Sequence, residues 1–162
     1  MHRSLFYNWV SCMSTGSDKA GPPNLKSLIP LSLSLSTLPT PLHPLANFSN
    51  QLGLDVWVKR DDLTGFAMGG NKVRKAEFLL AHAMEQKADV VLTAGAVQSN
   101  HARVIAAASK RLGLECHLFL SGEMPEKPNG NLFLDHLAGA QVHYVASFGA
   151  RHSAMEAFAE EL

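Results

Sequence analysis

The spacing of apolar positions changes near residue 54, and from there two patterns alternate. Short apolar runs are separated by stretches in which apolar residues recur every three or four positions, an arrangement typical of parallel strands joined by crossover helices. The apolar runs predict strands at 56–58, 90–93, 116–120 and 141–145. The helical spacing predicts helices at 71–87, 100–112, 131–137 and 154–162.

These elements indicate an α/β fold, with an open, twisted parallel sheet and helices on both of its faces. The run at 90–93 is apolar except for Thr93, as expected for a strand that is covered on both sides. Asn71 stands at the N-cap position of the first helix, and Gly113 ends the second. The buried stripe of the first helix is predicted to comprise Val73, Ala76, Leu80, Ala83 and Met84.

Residues 1–37 differ from the rest of the chain. Up to residue 54 the only acidic side chain is Asp18, and nine serines precede position 50. The stretch 31–36 alternates as a strand would, but the prolines around it remove backbone donors, and we expect it to be extended or disordered. The composition fits an organellar transit peptide or an ordinary disordered tail. The folded domain is therefore expected at 38–162.

The composition excludes several classes of function. Hydrophobic residues make up 46% of the 162 positions, enough for one domain with a core. Fourteen basic residues balance fourteen acidic ones, so neither nucleic acid nor a membrane surface is an expected partner, and no apolar run reaches the length of a transmembrane helix. Two cysteines, Cys12 and Cys116, make neither a disulfide framework nor a zinc site. We expect a reducing compartment, mitochondrial or cytoplasmic.

Two polar stretches lie where a predicted loop becomes a helix. They are Gly-Gly-Asn-Lys-Val-Arg-Lys at 69–75 and Gln-Ser-Asn-His at 98–101. The first N–H groups of a helix are unpaired and the helix dipole is positive there, which favours an anion or a developing negative charge. Open α/β sheets bind ligands at the carboxyl ends of their strands, which here are the loops after Thr93 and Leu120.

Lys72 is the candidate nucleophile. The glycines at 69 and 70 let the backbone approach a flat ligand closely. The helix terminus, together with Arg74 and Lys75, disfavours a charged ammonium at this position. A neutral amine attacks an aldehyde to form a Schiff base, which is the chemistry that a pyridoxal phosphate enzyme needs. The alternative is an ordinary solvated lysine near a helix start.

The run 98–101 is also open to a purely structural interpretation. Ser99 and Asn100 are favoured helix caps, and a lone histidine such as His101 is commonly a hydrogen-bonded core residue. Capping does not account for four consecutive polar side chains after a buried strand. A planar cofactor would use an amide to hydrogen-bond its ring oxygen, and a hydroxyl to hold a carboxylate or relay a proton.

Other motifs fail on their spacing. Gly65 and Gly70 have the separation of P-loop glycines, but Asn71 stands where the lysine must follow. The sequence contains no Gly-x-Gly-x-x-Gly after a strand, no His-Glu-x-x-His, no Cys-x-x-Cys and no Gly-x-Ser-x-Gly. Dinucleotide, metal and serine hydrolase sites are therefore not indicated.

Four motifs occur in collinear order: Trp-Val-Lys-Arg-Asp-Asp-Leu-Thr-Gly at 57–65, Gly-Gly-Asn-Lys-Val-Arg-Lys at 69–75, Gln-Ser-Asn-His-Ala-Arg at 98–103 and Gly-Asn-Leu at 130–132. Over about residues 38–150 the chain closely resembles the D-cysteine desulfhydrase and 1-aminocyclopropane-1-carboxylate deaminase family. The resemblance implies the tryptophan synthase β-subunit fold, fold type II, with pyridoxal 5'-phosphate as cofactor.

The resemblance also implies a role for each candidate residue. Lys72 would hold the cofactor covalently and then move the substrate Cα proton. Asn100 would hydrogen-bond the phenolic oxygen of the cofactor ring. Ser99 would contact the substrate carboxylate or take part in proton movement. His101 would line the same pocket, and Lys75 would contact the phosphate.

The implied reaction converts D-cysteine to pyruvate, ammonia and hydrogen sulfide, with the cyclopropane deaminase as the alternative; His101 favours the desulfhydrase. A small amino acid is the expected substrate, and a homodimer is expected for the full-length protein. The helical pattern at 154–162 runs to the last residue, and the family's second lobe with its glycine-rich phosphate loop is not found. We therefore expect a truncated chain that binds cofactor weakly, or a non-catalytic lobe that associates with a complete homologue.

Overall fold

The computed structural model describes residues 31–162 together with a strand at Leu5–Tyr7. The strands are β1 (Leu5–Tyr7), β2 (Leu42–Pro44), β3 (Trp57–Lys59), β4 (Val90–Ala96), β5 (Glu115–Ser121) and β6 (Gln141–Val145). The α-helices are α1 (Ala46–Leu52), α2 (Lys72–Glu85), α3 (Asn100–Leu112), α4 (Gly130–Leu137) and α5 (Ala150–Glu161). A 3-10 turn at Asp61–Thr64 lies between β3 and α2.

Four strands form a parallel sheet in the order β1-β4-β5-β6. This confirms the predicted α/β fold with a parallel sheet. β1 falls inside the segment 1–37, which the sequence predicted to be disordered or transit-peptide-like; the remainder of that prediction up to residue 30 lies outside the described residues. None of the helices described here is both long and apolar enough to cross a membrane.

Helices cover both faces of this sheet, as predicted. Successive side chains of a strand point to opposite faces. On one face, α2, α3 and α4 pack over alternate residues of β5, which are Cys116, Leu118 and Leu120. On the other face, α5 packs over a second cluster that comprises Val90, Leu92, Phe119, Met155 and Ala159.

The strand predicted at 56–58 forms but does not join the parallel sheet. It is β3, and it pairs antiparallel with β2 in a separate two-stranded sheet. The apolar pattern did not predict β2 or α1. Two prolines occur at positions 41 and 44 around β2, and α1 buries none of its residues, so neither element leaves a periodic apolar signal in the sequence.

The stretch 31–36 is fixed to α2 by a buried carboxylate. Glu77 is 6% exposed, and its Oε1 accepts hydrogen bonds from the backbone N–H groups of Leu35 at 2.9 Å and Ser36 at 2.8 Å. The Ser36 hydroxyl donates to the same oxygen at 2.6 Å. Leu35 packs into the core. Residues 31–36 form neither a helix nor a strand.

Candidate active site

A left-handed turn precedes α2. The φ angles of Ala67, Met68, Gly69 and Gly70 are +45°, +66°, +72° and +102°, a conformation that only glycine adopts without strain. At Gly69 there is also no room for a side chain, because an added Cβ would lie 2.1 Å from the carbonyl oxygen of Asp62. The turn therefore closes against the 3-10 turn and sets the point at which α2 begins.

A bidentate ion pair ties α2 to the 3-10 turn. Arg74 Nε lies 2.8 Å from Asp61 Oδ2, and Arg74 Nη2 lies 2.7 Å from Asp61 Oδ1. Thr40 joins the pair, accepting from Arg74 Nη2 at 2.9 Å and donating to Asp61 Oδ1 at 3.1 Å. The Arg74 hydrogen bonds hold the pKa of the Asp61 carboxyl below its usual value. Arg74, which the sequence argument counted among the charges acting on Lys72, is therefore paired with Asp61.

Lys72 is the first residue of α2 and is half-buried. Its Nζ donates to Asn71 Oδ1 at 3.2 Å. Asn71 occupies the predicted N-cap position, but its side chain makes no capping hydrogen bond and contacts the lysine amine instead. The amine is therefore placed at the junction of the turn and the helix, next to the unpaired N–H groups of the first helical turn.

Ser99 caps α3, in agreement with the structural interpretation of the run 98–101. Its Oγ accepts from the backbone N–H of Ala102 at 3.2 Å. Gly95 in β4 makes room for this cap, since an added Cβ there would lie 2.5 Å from Ser99 Cβ. The capping bond uses a lone pair of Oγ and leaves the hydroxyl proton available to another acceptor.

The orientation of the Asn100 amide follows from its neighbours. Asn131 Nδ2 donates to the backbone carbonyl of Gln98 at 3.0 Å and to Asn100 Oδ1 at 2.9 Å. A carbonyl only accepts, so Asn131 must present its NH2 group to both partners. Asn100 consequently accepts through Oδ1, and its own NH2 group is the one available as a donor.

Gln98, the first polar side chain of the run 98–101, is hydrogen-bonded to residues at the start of α4. Gln98 Oε1 accepts from the backbone N–H of Asn131 at 2.8 Å, and Gln98 Nε2 donates to Asn129 Oδ1 at 2.9 Å. Gln98 thereby holds the start of α4, which carries Asn131, beside the start of α3. Sequence reasoning placed 130–132 in a family motif without assigning a role to Asn131.

His101 is neutral at physiological pH. Its Nε2 lies 3.2 Å from Oγ1 of Thr93, which is buried in the middle of β4. Burial lowers the pKa of the imidazole to about 4, and the positive charges of Lys75 and Lys72 act in the same direction. His101 therefore interacts electrostatically with both lysines, although Lys75 is exposed on α2.

A pocket of about 220 Å³ lies between the starts of α2 and α3. Lys72 and Asn100 line it together, with Gly69 and Gly70 beside them. Ser99, His101 and Lys75 lie outside the lining. Asp62 and Arg103 belong to it, yet the sequence assigned them no role. Among residues 31–162, no group of three His, Cys, Asp or Glu side chains is arranged to hold a metal ion.

Residues 33–162 match the family model of pyridoxal-phosphate dependent enzymes. The chain belongs to this family. The match extends over the whole stretch of predicted resemblance, 38–150, and confirms both the fold and the family's cofactor, pyridoxal phosphate. The family is one of enzymes, which confirms the predicted class by family.

Three similar proteins refine this assignment. The bifunctional D-cysteine desulfhydrase/1-aminocyclopropane-1-carboxylate deaminase, mitochondrial, of Arabidopsis thaliana is 45% identical over 130 residues, which are 76% of this chain and 32% of that protein. The D-cysteine desulfhydrase of Serratia proteamaculans is 48% identical over 108 residues, 64% of this chain and 33% of that protein. The crystal structure of an ACC deaminase homologue is 44% identical, with a TM-score of 0.72, over 82% of this chain and 41% of that one. The chain spans about a third of the length of the curated relatives.

The pocket residues fit the family's cofactor. A lysine amine and an amide NH2 group face one space, and an added Cβ at Gly70 would meet nothing within 4 Å, so the backbone there is open to a flat ring. The volume is below the roughly 300–1,000 Å³ of complete ligand pockets. The pocket formed by the described residues is thus smaller than a complete ligand site.

The pKa of His101 predicts a pH-dependent contribution to stability. The folded-state value of about 4 lies below the unfolded value of 6.5, so the unfolded chain takes up the proton first as the pH falls. Relative to His101→Gln, the wild-type chain should lose about 2–3 kcal/mol of unfolding free energy between pH 7 and pH 4. Urea denaturation of both at several pH values measures this, with the exposed His136→Gln as control. Parallel pH profiles for wild type and His101→Gln would contradict the assignment of a neutral, buried ring.

Proposed function

We propose that the protein carrying this chain is a pyridoxal phosphate-dependent lyase for a small amino acid, with Lys72 as the residue that holds the cofactor. One observation carries the proposal: Lys72 and Asn100 line the same pocket at the starts of two helices, and Asn131 turns the Asn100 amide so that its NH2 group is the available donor. Pyridoxal phosphate has an aldehyde, which an amine can attack, and a neighbouring ring oxygen, to which an amide NH2 group can donate a hydrogen bond.

When bound, pyridoxal phosphate supplies an aldehyde and a ring that accepts electrons from the substrate Cα. Lys72 Nζ would hold the cofactor at its aldehyde carbon, and the same amine, released when the substrate amine takes its place, would accept the substrate Cα proton. Asn100 Nδ2 would donate to the ring oxygen. The Ser99 hydroxyl would donate a hydrogen bond to the substrate carboxylate, next to the positive end of α3.

Two further residues complete the proposed site. Lys75, one turn along α2 from Lys72, is proposed as a contact for the cofactor phosphate, and the exposure of its side chain leaves the ammonium accessible. His101 lies outside the pocket lining, and its neutral ring, with Nε2 3.2 Å from Thr93 Oγ1, adds no positive charge near the lysine.

D-Cysteine is the proposed substrate, with elimination to pyruvate, ammonia and hydrogen sulfide. The Serratia relative is named for this activity and the Arabidopsis relative for both activities. The cyclopropane deaminase is the second candidate, favoured by the structural neighbour, which is described as an ACC deaminase homologue. Sulfide release from D-cysteine, compared with 2-oxobutanoate release from the cyclopropane substrate, distinguishes the two. We also propose that the full-length protein is a homodimer located in mitochondria or in the cytoplasm.

Lys72→Ala tests the proposed role of the lysine. Borohydride reduction in the presence of pyridoxal phosphate, followed by peptide mapping, should place the pyridoxyl group on Lys72 in the wild type. The variant should lose this label and all lyase activity, because no other described amine lines the pocket. Lys110→Ala, an exposed lysine on α3, is the control and should label at position 72 as the wild type does. Label on another lysine in the wild type would refute the assignment, and no label at all would support a non-catalytic lobe.

Asn131→Ala tests the orientation of the Asn100 amide. Without the hydrogen bond to Asn100 Oδ1, the amide is free to turn, and the dissociation constant for pyridoxal phosphate should rise about tenfold, the equivalent of roughly 1.4 kcal/mol. Asn129→Ala removes a contact to Gln98 but leaves Asn131 bound to Asn100, so it should bind nearly as the wild type. Fluorescence titration measures both; equal affinities for all three proteins would show that Asn131 does not orient Asn100.

A further inference from the structure

Arg103 is a buried cation to which the proposed function gives no role. It is 6% exposed, and its Nε and Nη1 atoms have no hydrogen-bond partner within the part of the chain that the structure describes. Its Nη2 donates to the carbonyl oxygen of Gly69 at 3.4 Å. A buried charge without full compensation destabilises a fold, so packing alone does not account for an arginine here.

Apolar residues lie along one side of Arg103. A pocket of about 230 Å³ lies along it, lined by Ala67, Met68, Ala107, Leu134 and Leu137. A methionine would fill the same space without burying a charge. The reason for a guanidinium must therefore lie in what its polar end contacts.

The carboxyl group of Asp135, on α4, interacts electrostatically with Arg103. Asp135 is fully buried, and its carboxylate oxygens have no hydrogen-bond partner within residues 31–162. Burial raises the pKa of Asp135 to about 7, while the positive charge of Arg103 opposes that shift. The two groups interact through space across the α3 and α4 packing, and the guanidinium remains directed at the turn that carries Gly69.

Arg103 and Asn100 are three residues apart on α3 and therefore lie on the same face of the helix. Both line the 220 Å³ pocket with Lys72. α3 thus presents the amide donor of Asn100 to the pocket, and it contacts the turn before Lys72 through Arg103. This turn has four successive residues with positive φ, including two that are not glycine, and needs support to hold that conformation.

We propose that Arg103 is a positioning residue: by holding the Gly69 carbonyl it fixes the turn 67–70 on α3 and so sets the distance from Lys72 to Asn100. The inference rests on the proposed role of Lys72. In this inference Arg103 acts through the turn that it holds and does not contact the cofactor, whereas Lys72 and Asn100 do.

The test compares Arg103→Met and Arg103→Lys with the wild type, and uses Lys110→Met as a control that removes an exposed cation from the same helix. Two quantities are measured on each protein: hydrogen exchange of the Gly69, Gly70 and Val73 amides, and borohydride-trapped pyridoxyl label on Lys72. Arg103→Met should exchange these amides at least tenfold faster and label Lys72 at least tenfold less, with core amides of β4 and β5 unchanged. Arg103→Lys keeps the charge and a single donor group. Its amide exchange rates and its label on Lys72 should lie between those of the wild type and Arg103→Met.

The outcomes separate this inference from the proposed function. Unchanged exchange in the turn of Arg103→Met would overturn the positioning role, whatever happens to the label. If the wild type itself fails to label Lys72, the proposed function is refuted, and the exchange data still decide whether Arg103 holds the turn. If Arg103→Met does not fold, Arg103→Lys decides alone: faster exchange confined to the turn supports the role, and wild-type exchange contradicts it.

Discussion

The approach of the Gly69 backbone to the carbonyl oxygen of Asp62 is the contact on which the site depends. No side chain fits between them, and the turn that follows determines where α2 begins and where Lys72 is held. The Asp61 and Arg74 ion pair stabilises the same junction from the other side. A second close approach, of Gly95 to Ser99, sets the start of α3 in the same way. The pocket lies between these two helix starts.

Polar side chains connect the start of α4 to α3, and connect α3 to the turn before α2. Asn131 orients Asn100, and Gln98 holds Asn131 in place. Arg103, on the same helix as Asn100, contacts the turn that precedes Lys72. Each of these bonds joins residues far apart in the chain, so the geometry of the pocket exists only in the folded domain. This is the reason that a lysine and an asparagine 28 positions apart line one small pocket.

The elements predicted from the sequence are those with a strong apolar period. The strand at 90–93 is apolar except for Thr93, and α3 carries a clear apolar stripe; both elements form. The short strand at 56–58 also forms, but its pairing with β2 depends on contacts that no local pattern encodes. The motif glycines could be recognised as backbone positions, because a glycine pair at a loop-to-helix boundary usually marks a turn with positive φ or a close backbone approach.

The residues that the sequence did not predict share one property: their role depends on a distant partner. Glu77 is an acidic residue on an amphipathic helix, and it is buried only because the stretch 31–36 lies over it. Asn131 and Arg103 stand inside recognised motifs, yet their functions require the positions of Asn100 and Gly69 in the fold. The capping of α3 by Ser99, in contrast, is local and could be predicted from the sequence alone.

A crystal structure of the protein with pyridoxal phosphate tests the central claim most directly. The account predicts density continuous from Lys72 Nζ to the cofactor, with Asn100 Nδ2 at hydrogen-bond distance from the ring oxygen and Asn131 still bound to Asn100 Oδ1. Density joined to a different lysine, or an Asn100 amide turned away from the ring, would contradict it.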